Sequence, residues 1–172
     1  MLKILGSILV IAATTLYGMK RAADLKEQYV QMEYVRQVFG KVQSEIRYAR
    51  DPLGEIFSCI GRNAREPYGT WLEELGKKME ERDGGAFPEL WERSIADNLC
   101  SCALPKAELC RLEELGGRLG LMDIEMQVNT LDLYLEQLTE AMKEVREGMR
   151  TKVRLCHCLG VMGGMFIVIL LF

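Results

Sequence analysis

Two apolar segments bracket this chain, and almost all of its charge lies between them. Residues 4–19 contain no charged side chain, and residues 155–172 contain none apart from the titratable His157. A membrane-spanning helix needs about 20 largely apolar residues, with a lower limit of about 17. The first segment reaches that length because Lys3 can extend its ammonium group to the interface. We therefore predict transmembrane anchors at residues 1–19 and 155–172.

The residues that flank these segments indicate that both are retained and that the domain between them, residues 20–154, is cytoplasmic. A cleaved secretory signal is the alternative for the first segment, but Thr14 to Tyr17 lacks the small residues of a cleavage site. Cytoplasmic loops of membrane proteins are rich in lysine and arginine. Basic residues flank the inner ends of both segments, whereas only Lys3 lies outside them: Lys20, Arg21, Lys26, Arg36, Lys143, Arg146, Arg150, Lys152 and Arg154.

Composition excludes several classes of function for the central domain. The chain carries 22 Lys and Arg against 25 Asp and Glu, which is not the basic balance of a nucleic-acid-binding protein. The single histidine, His157, lies outside the domain, so no histidine base is available there to activate a nucleophile. The glycine pairs also lack the GxxxxGK[ST] pattern of a phosphate loop. We predict no catalytic activity, no cofactor and no nucleic-acid partner.

Six cysteines suggest disulfides or a metal site, but neither fits their setting. The cytoplasm is reducing, so an even number of cysteines does not imply bridges there. Cys100 and Cys102, like Cys156 and Cys158, are closer in sequence than the gap of about two to four residues usual between paired zinc ligands. We therefore predict no metal site.

Proline and glycine divide the central domain into helices, and no alternating apolar pattern indicates a strand. The predicted helices cover about 22–50, 52–63, 70–82, 88–99 and 105–120, with a sixth that begins at Ile124. Asp51 is predicted to cap the second helix, which begins at Pro52. One buried face of the first helix is predicted from its spacing: Val35, Phe39, Val42, Ile46 and Ala49. The fold class is therefore all-α, a bundle of about six helices between two transmembrane helices.

The sixth helix carries the most regular apolar pattern. Its apolar residues alternate gaps of four and three, which is typical of a heptad seam: Ile124, Val128, Leu131, Leu135, Leu138, Met142, Val145 and Met149. The seam either packs on the first helix of the same chain or pairs with a second subunit. No proline interrupts its continuation into the second anchor, where Gly160 and Gly164 form a GxxxG pair that favours close helix packing.

Four groups of residues carry a resemblance to a known family. The first is the opening Met1-Leu2-Lys3, and the second runs from Ser44-Glu45 to Asp51-Pro52-Leu53-Gly54-Glu55. The third has the pattern LG-x-x-LG-x-x-D-x-x-x-Q and consists of Leu115, Gly116, Leu119, Gly120, Asp123 and Gln127. The fourth is Lys152 with Leu159-Gly160 before an apolar end. In this order, over nearly the whole chain, they resemble the stage III sporulation protein AB family of endospore-forming bacteria, although that family usually has Thr-Pro-Leu at the position of Asp51-Pro52-Leu53.

The resemblance implies a non-catalytic scaffold. The family is similar to the inner-membrane platform proteins of type II secretion and type IV pilus machines. It implies a place in the channel complex between mother cell and forespore, in the mother-cell membrane, with other stage III proteins and a cytoplasmic secretion-type ATPase as partners. The alternative is a membrane-tethered homodimeric sensor or assembly regulator that pairs through Leu131, Leu135 and Leu138.

The LG motif itself has two interpretations. As a structural turn, Gly120 would end the fifth helix in the left-handed conformation, and Asp123 would cap the sixth. As a docking surface, the motif, Gln127 included, would contact a partner directly.

Overall fold

The structure is a computed structural model, and it describes the backbone of residues 2–49, 51–81, 85–120 and 123–171. Side chains are described for Leu16, Lys20 and residues 23–49, 51–81, 85–120 and 123–149. Within these ranges all regular structure is α-helical, which confirms the predicted fold class. The helices are α1 (Leu2–Tyr48), α2 (Leu53–Gly61), α3 (Tyr68–Glu81), α4 (Phe87–Leu99), α5 (Lys106–Leu119) and α6 (Ile124–Leu171).

The chain forms two compact units, which divide α1 and α6 between them. One comprises residues 1–30 and 142–172, and the other, here called the bundle unit, comprises Gln31–Ala141. Among the described residues, no helix is both long enough and apolar enough to span a membrane. Apart from Leu16, the side chains of the predicted anchors lie outside the described residues, and so does the packing predicted at Gly160 and Gly164.

The core of the bundle unit is a cluster of aromatic rings. The indoles of Trp71 and Trp91 meet edge to face, with 5.2 Å between centroids and 70° between planes. Phe39 and Phe57 pack on Trp91 at 6.3 Å and 5.7 Å. These four side chains are 0% exposed. Both indole N–H groups are satisfied, because Trp71 donates to Ser94 Oγ at 2.9 Å and Trp91 to the Leu112 carbonyl at 2.8 Å.

The predicted buried face of α1 is confirmed over most of its length. Val35, Phe39, Val42 and Ile46 are all at most 2% exposed. Ala49 is exposed, so the prediction is wrong there. The reason is that α1 ends at Tyr48, before the predicted break at the Asp51-Pro52 pair.

Asp51 does not cap α2. The N-cap residue is Pro52, with φ −56° and ψ 140°, and no side chain bonds the first amides of the helix. The carbonyl of Pro52 instead accepts the first helical bond, from Ile56 N at 3.2 Å. Because α2 begins one residue later than predicted, Asp51 stands outside the cap position and its side chain is exposed.

The middle of the α6 seam packs on α1 of the same chain. Leu131 and Leu138 are 0% exposed, and the ring of Tyr134 meets Phe39 edge to face at 5.4 Å. Gln43 Nε2 donates to the Val128 carbonyl at 3.2 Å. The seam is therefore an intramolecular surface at Val128, Leu131 and Leu138, whereas Leu135, which was predicted in the same seam, is only half-buried.

The two helices are antiparallel. Phe39 on α1 contacts Tyr134 on α6, and Gln43, one turn later on α1, contacts Val128, which comes before Tyr134 on α6. The last turn of α1 thus lies beside the first turn of α6, and we call this end of the bundle unit the distal end. Arg47 Nη2 pairs there with Asp132 Oδ2 at 3.5 Å.

Candidate functional site at the distal end

The LG motif forms the contact between α5 and α4. Leu115 and Leu119 are 3% and 0% exposed. A Cβ atom on Gly116 would lie 2.0 Å from Trp91 Cδ1, and one on Gly120 would lie 2.4 Å from Phe87 Cδ1. Such distances are far inside van der Waals contact, so both positions require glycine for lack of space.

Gly120 does not adopt the predicted left-handed conformation. Its φ is −74° and its ψ −15°, which is right-handed helical geometry open to any residue. The prediction explained the glycine at position 120 by the left-handed backbone that often ends a helix. The physical reason is instead the Phe87 ring, which occupies the volume that a side chain would need.

Asp123 and Gln127 join α6 to the end of α5. Asp123 Oδ1 accepts a hydrogen bond from Met126 N at 2.9 Å, so Asp123 caps α6 as predicted. Gln127 Nε2 donates to the carbonyl of Leu119 at 2.9 Å, which satisfies one of the last α5 carbonyls. These bonds support the interpretation of the LG motif as a structural turn.

The remaining motif residues lie outward at the same end. Glu45 is in the last turn of α1, and Asp51 and Pro52 follow that helix. All three are exposed, and the described residues provide no ion pair or side-chain hydrogen bond for Glu45 or Asp51. Nothing in the described packing of the bundle unit uses these side chains.

Sequence reasoning missed the aromatic partners of the two motif glycines. Trp91 and Phe87 belong to α4, far from Gly116 and Gly120 along the chain. No local pattern connects a glycine with a ring on another helix. Sequence reasoning also placed Ile124 in the buried seam, whereas this side chain is 45% exposed.

The pKa shifts in the bundle unit have structural causes, namely burial and an exposed ion pair. Burial raises the pKa of Tyr68 and Tyr134 above the usual range, and the Glu108 carboxylate adds to the effect at Tyr134. Glu73 and Lys77 form an exposed i,i+4 ion pair at 2.8 Å. Their hydrogen bond lowers the pKa of Glu73 and raises that of Lys77. No group of three His, Cys, Asp or Glu within the described residues could hold a metal ion.

The described cysteines are free thiols. Cys59, Cys100 and Cys110 are exposed, and Cys102 is half-buried. The side chains of Cys156, His157 and Cys158 lie outside the described residues.

The fold defines an all-α protein. Its bundle unit has an aromatic core and a contact between α4 and α5 that depends on glycine. The family model for stage III sporulation protein AB matches residues 3–172. The chain is 25% identical over 171 residues to the stage III sporulation protein AB of Bacillus subtilis (strain 168), covering 99% of each chain. A solved structure of a stage III sporulation protein AB superposes with a TM-score of 0.64 at 22% identity, over 72% of this chain and 97% of that one. The chain therefore belongs to the stage III sporulation protein AB family and is a sporulation protein.

Proposed function

We propose that this protein is a non-catalytic, membrane-anchored scaffold of the channel complex between mother cell and forespore, and that it docks a cytoplasmic secretion-type ATPase. The proposal rests on one observation: some motif residues are used in packing within the chain, and others are exposed. Those of the LG motif serve internal packing and turn bonds, whereas Glu45, Asp51 and Pro52 are exposed at one end. Side chains that the described packing does not use are available for a partner.

The composition of the two terminal segments supports the membrane anchors. Residues 4–19 carry no charge, and the last residues from Gly160 onward carry none either. The backbone is helical from Leu2 and as far as Leu171, which is the geometry that a bilayer requires. We propose spans at residues 1–19 and 155–172, with close helix packing at Gly160 and Gly164.

Thiol labelling tests the cytoplasmic location of the bundle unit. Cys59 and Cys110 are exposed, so their accessibility depends on the compartment and not on the fold. In a cysteine-free background, a single Cys59 or Cys110 should react with a membrane-impermeant maleimide only after protoplasts are permeabilised. Lys3→Cys provides the outside control. Labelling of Cys110 in intact protoplasts would reverse the proposed orientation.

Co-purification tests the docking function. The full-length chain in mild detergent should retain the secretion-type ATPase of the same organism when the two are co-expressed. A scaffold should also leave nucleotide hydrolysis to its partner, so the chain alone should show none. Failure of the purified proteins to associate at concentrations of about 10 μM, where even weak specific complexes form, would contradict this function.

The alternative, a homodimeric sensor, conflicts with the packing of α6. Pairing through Leu131, Leu135 and Leu138 would need these side chains at the surface, but Leu131 and Leu138 are 0% exposed within one chain and Leu135 is half-buried. Light scattering of the detergent-solubilised protein distinguishes the two functions, because the sensor would be a dimer without any partner.

A further inference from the structure

A small polar pocket lies between α5 and α6, and we call it the α5–α6 pocket. Its volume is about 70 Å³, well below the range of about 300–1,000 Å³ that is usual for small-molecule sites. Polar and charged side chains of both helices line it, among them Arg111, Glu114 and Arg118 of α5 and Tyr134 of α6. The pocket is therefore suited to a single polar head group.

The α6 wall of the pocket carries a buried hydroxyl group without a partner. Tyr134 is only 4% exposed, and its Oη atom has no hydrogen-bond partner among the described residues. Besides burial, the charges of Glu108 and Arg111 shift the pKa of Tyr134, so its hydroxyl faces α5. A buried polar group without a hydrogen bond costs free energy. An acceptor supplied by a ligand would remove that cost.

Two charged side chains of the pocket are also unpaired. Glu114 and Arg118 stand four residues apart on α5, in the order that favours an ion pair on a helix. Yet neither forms an ion pair or a side-chain hydrogen bond within the described residues. Arg111, by contrast, pairs with the buried carboxylate of Glu108. The lining thus has two arginines against one glutamate, and the guanidinium of Arg118 is available as a donor.

We propose that the α5–α6 pocket binds the carboxylate of an aspartate or glutamate side chain of the cytoplasmic partner, with the Tyr134 hydroxyl and the Arg118 guanidinium as its donors. A carboxylate accepts hydrogen bonds from both groups and complements the excess of arginine in the lining. This inference rests on the proposed function and adds one contact with its chemistry. A side chain of a protein fits because the pocket has room for a head group only.

Tyr134→Phe separates binding from folding. The variant keeps the ring, which meets Phe39 at 5.4 Å, and removes only the hydroxyl without a described partner. Its thermal midpoint should therefore equal or exceed that of the wild type. Its affinity for the secretion-type ATPase should fall about tenfold, because a buried hydrogen bond to a charged group is lost. A hydroxyl with a purely structural role would instead lower the midpoint and leave the affinity unchanged.

The two unpaired charges of α5 should respond to neutralisation with opposite signs. Arg118→Gln removes a donor to the carboxylate, so it should weaken the complex about fivefold and flatten its dependence on salt. Glu114→Gln removes a like charge beside the incoming carboxylate, so it should tighten the complex about twofold. Arg93→Gln on α4 and Glu136→Gln on α6 are the matched controls. Both side chains are exposed and outside the pocket, so neither change should alter the affinity.

Binding is measured with the full-length chain in mild detergent and the purified secretion-type ATPase, and fluorescence of the buried tryptophans verifies folding. If the ATPase binds the wild type, Tyr134→Phe and Arg118→Gln equally well, the pocket holds ordered water only; the inference is wrong and the scaffold function stands. If the wild type does not bind, both are overturned. Acetate is the probe for a free anion. If acetate, compared with chloride at equal ionic strength, stabilises the wild type more than Tyr134→Phe while the ATPase binds both equally, the pocket takes a free carboxylate and the inference is wrong.

Discussion

Two neighbouring glycines of α5 should respond to the same substitution with opposite signs. A Cβ atom on Gly116 would lie 2.0 Å from Trp91 Cδ1 and 2.1 Å from Cγ, whereas one on Gly117 would meet nothing within 4 Å. Alanine is favoured over glycine in a helix by about 1 kcal/mol. Gly117→Ala should therefore stabilise the bundle unit by about that amount, because the new methyl group projects into open space.

Gly116→Ala should destabilise the same unit. Overpacking a buried ring costs about 1–3 kcal/mol. The ring that must move also donates from Nε1 to the Leu112 carbonyl at 2.8 Å, so displacement strains or breaks that bond. An unmade buried hydrogen bond costs a further 1–3 kcal/mol or so. After the gain of about 1 kcal/mol in helix propensity, we expect a net loss of about 3 kcal/mol.

Tryptophan fluorescence during thermal unfolding measures both effects. The chain has two tryptophans, Trp71 and Trp91, and both are 0% exposed in the core of the bundle unit. A change of about 1 kcal/mol shifts the midpoint of a domain of this size by about 4 °C. Gly116→Ala should lower the midpoint by about 12 °C, and Gly117→Ala should raise it by about 4 °C. Equal shifts in the two variants would refute the close approach of Trp91 to α5.

Two further predictions concern the α5–α6 turn and the buried tyrosines. Because Gly120 has φ −74° and faces the Phe87 ring, Gly120→Ala should cost about 1–3 kcal/mol and the larger Gly120→Asn more. Urea unfolding measures both costs. If Gly120 were left-handed, Gly120→Asn would instead cost less than Gly120→Ala, since asparagine tolerates positive φ. Tyr134→Phe removes a buried hydroxyl without a described hydrogen-bond partner and should be neutral or stabilising, whereas Tyr68→Phe loses the 3.0 Å bond to Gln31 and should cost about 1 kcal/mol. Both folded-state pKa values are raised above the ordinary 10.0, so the neutral tyrosines stabilise the fold fully below about pH 10 and stability falls as the pH rises beyond it. Each phenylalanine variant should reduce that alkaline loss, and an unchanged pH profile would contradict the burial of the phenol.

Local signals in the sequence predicted the helices and much of the core. Apolar spacing identified the face of α1 from Val35 to Ile46 and the middle of the α6 seam, because a helix buries residues that recur every three to four positions. Proline and glycine marked the breaks. Asp123 was predicted as a cap because its bond to Met126 N spans only three residues. Family membership followed from the order of the motifs over the chain, which the family model over residues 3–172 confirms.

Tertiary structure decided what depends on residues distant in sequence. Gly116 and Gly120 are required by the Trp91 and Phe87 rings of α4, and no pattern within α5 reveals those neighbours. Ile124 belongs to the seam by spacing, yet it is 45% exposed at the distal end. Periodicity records which side of a helix is apolar, but burial also requires an opposing surface, and only the packed chain shows where that surface ends.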